Sequence, residues 1–281
     1  MEIFKQIAPL RARLHGLRKS GVSIGLVPTM GALHQGHISL VEASKSQNTI
    51  TVATIYINPT QFNNPNDHQN YPKTPEKDIL MLQNAGCDVV FCPDDHEMYA
   101  EKSRVNFDFG NLDKVMEGKF RPGHFSGVAL VVSKLFNIVQ PDRAYFGQKD
   151  WQQFAVIGLL VRELKFNFEV YSVPILREPD GLAMSSRNLR LTTSQRTSAA
   201  ILYQSLQMAR KAIKSGTPLE AVKKAVSEQV NKTSEMKLEY FELADSKNLT
   251  ILNDVDNSVS SILCIAGYAG EIRLIDNMFL D

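Results

Sequence analysis

The stretch Pro28-Thr29-Met30-Gly31-Ala32-Leu33-His34-Gln35-Gly36-His37 decides how this 281-residue chain is read. It follows Ile24-Gly25-Leu26-Val27, an apolar run with the composition of a short buried strand. It precedes Ile38, Leu40 and Val41, spaced to begin an amphipathic helix. Two imidazoles three residues apart therefore stand where a strand hands over to a helix N-terminus. Unpaired backbone N–H groups and the positive end of the helix dipole suit an anionic ligand there. Gly36 has no Cβ, so a ligand can come close between the two histidines. Nucleotide phosphate held by imidazole donors fits this spacing. Two other readings stay open at this point. Either histidine can serve as a helix cap or core residue, and a two-histidine zinc site is conceivable, although no nearby Cys or Asp completes its tetrahedral set.

Outward from this turn, apolar runs keep alternating with helical patterns. Thr49–Ile57 reads as a buried strand rich in β-branched residues, ended by Asn58-Pro59-Thr60-Gln61-Phe62 and a polar loop to Tyr71. Thr74 and Pro75 read as N-cap and first residue of a helix that Gly86 stops. Asp88–Pro93 is the next strand, Phe125–Val139 a helix, Arg143–Phe146 a strand, Trp151–Leu164 a helix and Phe168–Val173 a strand. This alternation predicts an α/β fold, a Rossmann-like doubly wound parallel sheet, with ligands beyond the carboxyl ends of its strands. After Asn188 the pattern changes. A long helix over Thr193–Lys214 and another to about Asn231 precede strands at Leu238–Leu243, Ile262–Ala266 and Ile272–Ile275, the last two forming a hairpin. The expected division is residues 1–184, a Rossmann-like ligand-binding domain, and residues 185–281, a smaller α+β domain acting as a lid.

Composition narrows the class. At 43% hydrophobic and 22% charged, the chain has the make-up of an ordinary soluble globular protein. A net charge of +1 offers no electrostatic case for a nucleic-acid partner. Charges interrupt the N-terminal residues too early for a signal peptide, and the most apolar stretch, Val128–Val139, is too short to span a bilayer. Cys87, Cys92 and Cys264 show no metal-ligand spacing and cannot all pair, which fits reduced thiols in a cytoplasm.

Two further segments carry chemistry. Gly147-Gln148-Lys149-Asp150 leaves a strand and opens a helix, with Lys149 a point charge suited to phosphate and Asp150 a candidate cap. Pro179-Asp180-Gly181 is a turn that leads into Met184-Ser185-Ser186-Arg187-Asn188, a run of hydroxyl and guanidinium donors.

The motifs PTMGALHQGH (28–37), YINPTQF (56–62), YPKTPEKD (71–78), RPGHFSGV (121–128), PDRAYFGQKDWQQ (141–153) and REPDGLAMSSRN (177–188) resemble, in order and content, those of the pantoate–β-alanine ligase (pantothenate synthetase) family. That family belongs to the HxGH nucleotidylyl-transferase superfamily, in which the SSRN segment resembles the KMSKS loop of class I synthetases. The resemblance implies ATP-dependent condensation of pantoate with β-alanine through pantoyl adenylate, releasing AMP and pyrophosphate, with Mg²⁺ accompanying ATP. It implies that His37 is the catalytic proton donor and His34 a nucleotide contact, with Lys149, Ser185, Ser186 and Arg187 completing the donor set. ATP contacts carried over are Met30, Gly31, Ala32, Leu33, His34, Gln35, Gly36, His37, Gly147, Gln148, Lys149, Asp150, Leu176, Met184, Ser185, Ser186 and Arg187. Gln61 and Gln153 resemble pantoate ligands, Gln61 also a β-alanine contact. For the Mg²⁺ that ATP chemistry brings, Asp78 is the candidate water-mediated contact, with an ordinary helix residue as the alternative reading. A homodimer is expected on the same ground. Many family members have Glu at the position of Gln148, which removes a charge beside Lys149 here. An adenylyltransferase for another acid, a class I synthetase relative and a non-enzymatic nucleotide sensor remain the rival readings.

Overall fold

The computed structural model describes residues 1–280, which divide into two compact units. The first comprises Met1–Phe109, Arg121–Gly147 and Val156–Pro174. Its six strands are β1 (Glu2–Phe4), β2 (Ile24–Thr29), β3 (Ile50–Ile55), β4 (Val89–Phe91), β5 (Arg143–Gly147) and β6 (Glu169–Val173). They form one parallel sheet in the order β1-β4-β3-β2-β5-β6. Every strand anticipated in this half is present. β1 has no strand pattern in the sequence: it is a three-residue edge strand that only its pairing with β4 defines.

The central strands are apolar almost throughout because helices cover both faces of such a sheet. Val27, Ala53, Val90 and Tyr145 are buried against Leu40, Val41 and Leu82 from the flanking helices. The direction of winding reverses between β2 and β5. The chain steps from β2 outward to β3 and then β4, whereas β5 and β6 lie on the other side of β2. Such a reversal opens a crevice at the carboxyl ends of the two strands, and the turn after β2 leaves from there.

The second unit comprises Gly110–Phe120, Gln148–Ala155 and Ile175–Asp281. It is thus built from three stretches rather than from the continuous 185–281 that the sequence suggested. Its sheet is antiparallel, β7 (Met236–Asp245), β8 (Ser261–Ala269) and β9 (Ile272–Phe279), with β8 central and the expected β8–β9 hairpin turning at Gly270. Helices Ile201–Lys214 and Leu219–Lys232 cover it through Leu202, Leu206, Ala209, Ile213, Val222, Val226 and Val230. The single helix expected over Thr193–Lys214 is divided at Ala200, where ψ relaxes to −19°.

Buried polar chemistry recruits the two outlying stretches. Gln152 donates to the carbonyls of Leu112 (2.7 Å) and Val115 (2.9 Å) and accepts from the Glu117 N–H (3.0 Å). The Glu117 carboxylate takes both Nη groups of Arg273 (2.7 and 2.8 Å) and the Tyr240 hydroxyl (2.8 Å). Burial and the adjoining Glu117 charge push the Tyr240 hydroxyl well above its ordinary value. All three cysteines are free thiols. Among the described residues no helix is long and apolar enough to cross a membrane.

Candidate active site

In the first unit the turn after β2 is held from three directions. Thr29 donates twice to Thr54 on β3, its N–H to the Thr54 hydroxyl oxygen at 3.2 Å and its hydroxyl to the Thr54 carbonyl at 2.5 Å. The same hydroxyl oxygen accepts from the Gly31 N–H at 3.2 Å. Gly31 has φ +79°, and a Cβ there would meet Asp78 Oδ2 at 3.0 Å, so conformation and space both call for glycine. Asp78 then receives the N–H groups of Ala32 (2.9 Å) and Leu33 (2.8 Å) and the Thr74 hydroxyl (3.0 Å).

Asp78 therefore does not fit the role of a Mg²⁺ contact. Its side chain is buried, both oxygens are committed to protein donors, and it lies in the first turn of helix Pro75–Asn84, where the dipole favours a carboxylate. It braces the loop that precedes the histidines. Thr74 occupies the N-cap position as expected, but its hydroxyl turns to Asp78 instead of to the helix backbone. Among the described residues no three His, Cys, Asp or Glu side chains group as a metal site, the zinc reading of the two histidines included.

His34 and His37 cap one another's turn. His34 Nδ1 accepts from the Gly36 N–H (3.1 Å), and His37 Nδ1 accepts from the His34 N–H (3.3 Å). The rings lie 4.0 Å apart. A ring nitrogen that accepts carries no proton, so in the neutral imidazoles each proton sits on Nε2. The cap reading and the ligand reading are thus compatible: the caps consume Nδ1 and make Nε2–H a donor. Gln35, Gly36 and His37 are the first three residues of the helix Gln35–Gln47.

Gln61 ends a short 3₁₀ turn after β3 and is buried. Its Oε1 accepts from Asn58 Nδ2 (3.1 Å), and its Nε2 donates to the Met30 sulfur (2.8 Å), which orients the amide. His124 closes the loop from behind. Arg121 can only donate, so the 3.0 Å contact makes His124 Nε2 the acceptor and leaves Nδ1–H to donate to the Gln61 carbonyl at 2.8 Å. Gly127, one turn along, lies so close that a Cβ would meet the Thr60 carbonyl oxygen at 2.2 Å.

In the second unit Lys149 pairs with Asp150 (3.2 Å), so Asp150, a candidate helix cap from sequence, serves as that lysine's partner. The loop carrying them hangs on Asn277 of β9, whose Nδ2 donates to the carbonyls of Gln148 and Lys149, both at 2.8 Å. Gln148 Nε2 returns a bond to Asn277 Oδ1 (3.3 Å). The half-buried Gln153 amide makes no hydrogen bond within the protein among the described residues, unlike Gln61.

The SSRN segment follows a tight turn closed by Met184 N–H to the Leu176 carbonyl (3.0 Å) and Glu178 N–H to the Leu182 carbonyl (2.9 Å). Arg177 locks it, with a bidentate ion pair to Asp276 (2.6 and 3.0 Å), a bond to the Gly181 carbonyl (3.0 Å) and a stack on the Tyr203 ring (3.9 Å). Burial pushes the Asp276 carboxyl up, while Arg177 and, more weakly, Lys149 oppose it. Ser185 Oγ accepts from the Arg187 N–H (3.3 Å) and keeps its own proton to donate; Ser186 is buried. Asp276, Asn277 and Arg177 escaped the sequence analysis as site residues. An Asp-Asn pair inside a terminal strand has no motif, and only its distant partners give it meaning.

The comparisons with known proteins agree with one another. The profile of the pantoate-beta-alanine ligase family matches residues 2–279. A pantothenate synthetase of Bacteroides thetaiotaomicron is 46% identical over 278 residues, covering 99% of this chain and 98% of that protein. One from Porphyromonas gingivalis strain W83 is 47% identical, covering 99% of each. The crystal structure of a pantothenate synthetase from Thermus thermophilus superposes with a TM-score of 0.93 at 40% identity, over 100% of this chain and 99% of that one. A Francisella tularensis pantoate-beta-alanine ligase complexed with beta-gamma ATP and beta-alanine gives 0.84 at 35% identity, over 100% and 98%.

Proposed function

The chain belongs to the pantoate-beta-alanine ligase family, and from that premise we propose how its residues carry the ATP-dependent condensation of pantoate with β-alanine. A pantoate carboxylate oxygen attacks the α-phosphorus of ATP, the bond to the β-phosphate oxygen breaks, and pyrophosphate departs. The β-alanine amine then attacks the acyl carbon of pantoyl adenylate. AMP leaves with the electron pair of the acyl–oxygen bond, and the nitrogen sheds a proton to give pantothenate.

The observation that carries this reading is the mutual capping of His34 and His37, which makes both Nε2–H groups donors at a helix N-terminus. A carboxylate nucleophile is already ionised at neutral pH, so the first step needs no base; it needs donors around phosphate as charge builds. In this proposal His37 and His34 serve that purpose together with Lys149, Ser185, Ser186 and Arg187. Gln61 and Gln153 receive the pantoate hydroxyls, the first already oriented and the second with its amide uncommitted. Gln61 also meets β-alanine. Mg²⁺ enters as part of the ATP substrate, coordinated by phosphates, which suits an ion that uses few protein carboxylates. Homodimer assembly and a cytoplasmic setting belong to the same proposal and rest on family resemblance.

The test measures pyrophosphate and AMP release from Mg·ATP and pantoate, with and without β-alanine. Pyrophosphate on adding pantoate, with pantothenate and multiple-turnover AMP only once β-alanine is present, is the expected result. Pyrophosphate release that ignores β-alanine would favour the adenylyltransferase reading. His37→Ala should slow pantoate-dependent pyrophosphate release about 10²–10³-fold, the usual loss for one preorganised donor.

A further inference from the structure

β9 is an edge strand of its sheet, and edge strands present outward peptide groups that need partners. At Asn277 those groups are already closed: its N–H donates to Asp276 Oδ1 (2.8 Å), and its carbonyl accepts from Arg177 (3.4 Å). Both side chains of this dipeptide are buried, Asp276 at 4% and Asn277 at 3% exposure, a costly place for polar groups that do no positioning. Each is bound to a different loop. Asp276 grips Arg177, at the mouth of the turn that leads into Met184–Arg187, and Asn277 grips the peptide groups of Gln148 and Lys149.

The chemistry at Asn277 is specific. Two carbonyl oxygens converge on one nitrogen that has two protons to give, and the neighbouring amide oxygen takes a donor from Gln148. Only a short carboxamide offers this set. Asp has the size without the donors, and Gln places them a methylene too far.

We propose that Asn277 is a positioning residue for adenylation, holding the Gln148–Lys149 backbone so that the Lys149 ammonium stands where phosphate charge develops, with Asp276 doing the same for the approach to Ser185–Arg187 through Arg177. This rests on the reading of Lys149 as a phosphate donor. Displacement of a charged group by about 1 Å is enough to cost a catalytic step about 10²-fold.

The test is a double-mutant cycle on pantoate-dependent pyrophosphate release, using Asn277→Asp, Lys149→Ala and the two combined. Asn277→Asp keeps the volume and turns the donor nitrogen into an acceptor that faces two carbonyls. Its kcat should fall about 10- to 100-fold, with the pantoate KM within about twofold of the parent. The combined variant should be no slower than Lys149→Ala alone, because a residue acting through Lys149 has nothing further to lose. Should Asn277→Asp not yield folded protein, Gln148→Ala removes the half-buried bond to Asn277 Oδ1 and should show a smaller fall in kcat with the same non-additivity, any lost contact to ATP being read separately in the ATP KM. Losses that multiply in the combined variant would overturn the proposal, as would an unchanged kcat for the Asn277 variant beside a crippled Lys149→Ala. A harmless Lys149→Ala would overturn the phosphate-donor reading itself, and this inference with it.

Discussion

The turn at 30–37 and the loops at 148–150 and 176–187 are all rich in hydrogen-bond donors, yet they are built differently. The first is secured largely by near neighbours: His34 and His37 cap each other, and Thr29 binds the adjacent strand. Its most distant brace is Asp78, about 45 residues along the chain. The second pair of loops depends on β9, 99 to 129 residues away. A locally closed turn keeps its shape as long as its own sequence does. A loop hung on a distant strand holds its donors in place only once the whole unit has folded.

The largest effect should come from Arg273→Met. It removes the cation that Glu117 and Glu239, both largely buried, share and should destabilise the second unit by about 3–5 kcal/mol. Denaturant unfolding would read the loss. A change below about 1 kcal/mol would break the contrast, since the second unit would not then depend on its long-range network. Asp78→Ala takes away the acceptor that the buried N–H groups of Ala32 and Leu33 share and should cost the first unit about 3 kcal/mol together with most adenylation activity. Retained activity would show the histidine turn to be wholly self-sufficient.

Gly127→Ala drives a methyl into the backbone of Thr60 and Gln61, so overpacking of about 1–3 kcal/mol is expected. The pantoate KM should rise more than the ATP KM, because the displaced segment carries Gln61. Equal changes in both would separate Gln61 from pantoate.

The smallest effect concerns the Asp180–Arg196 pair, which tethers the turn ahead of the SSRN segment. The hydrogen bond from Arg196 holds the Asp180 carboxyl below its ordinary 3.8. Because the folded value lies below the unfolded one, the pair's contribution is complete above the unfolded value and disappears as the pH falls through the folded one. Comparing melting temperatures of the parent and Asp180→Asn should show a gap at pH 6 that closes in acid, as the pH falls below 3.8 and through the lowered folded value. Asp180 is exposed and Arg196 only half-buried, so a gap of a few degrees is the most expected.

Legibility follows the same contrast. Strand–helix alternation exposed the parallel sheet, because a strand buried on both faces must be apolar along its length. The HxGH turn was legible because glycine, histidine and the helix start occur within ten residues. Asp78 was read as a metal contact because sequence shows a carboxylate but not what its oxygens already hold. The recruitment of Gly110–Phe120 and Gln148–Ala155 into the second unit could not be read either, since Glu117 and Gln152 differ from any exposed Glu or Gln only through Arg273, Tyr240 and the carbonyls they meet.

By itself the sequence determined the elements, the motif residues and the family, because short-range patterns of apolarity, glycine and caps govern local structure. The tertiary structure alone decided the tautomer of His124, the bracing role of Asp78 and the grip of Asp276 and Asn277. Each of these depends on which donor meets which acceptor across the fold, and that pairing is settled only when burial removes water as the alternative partner.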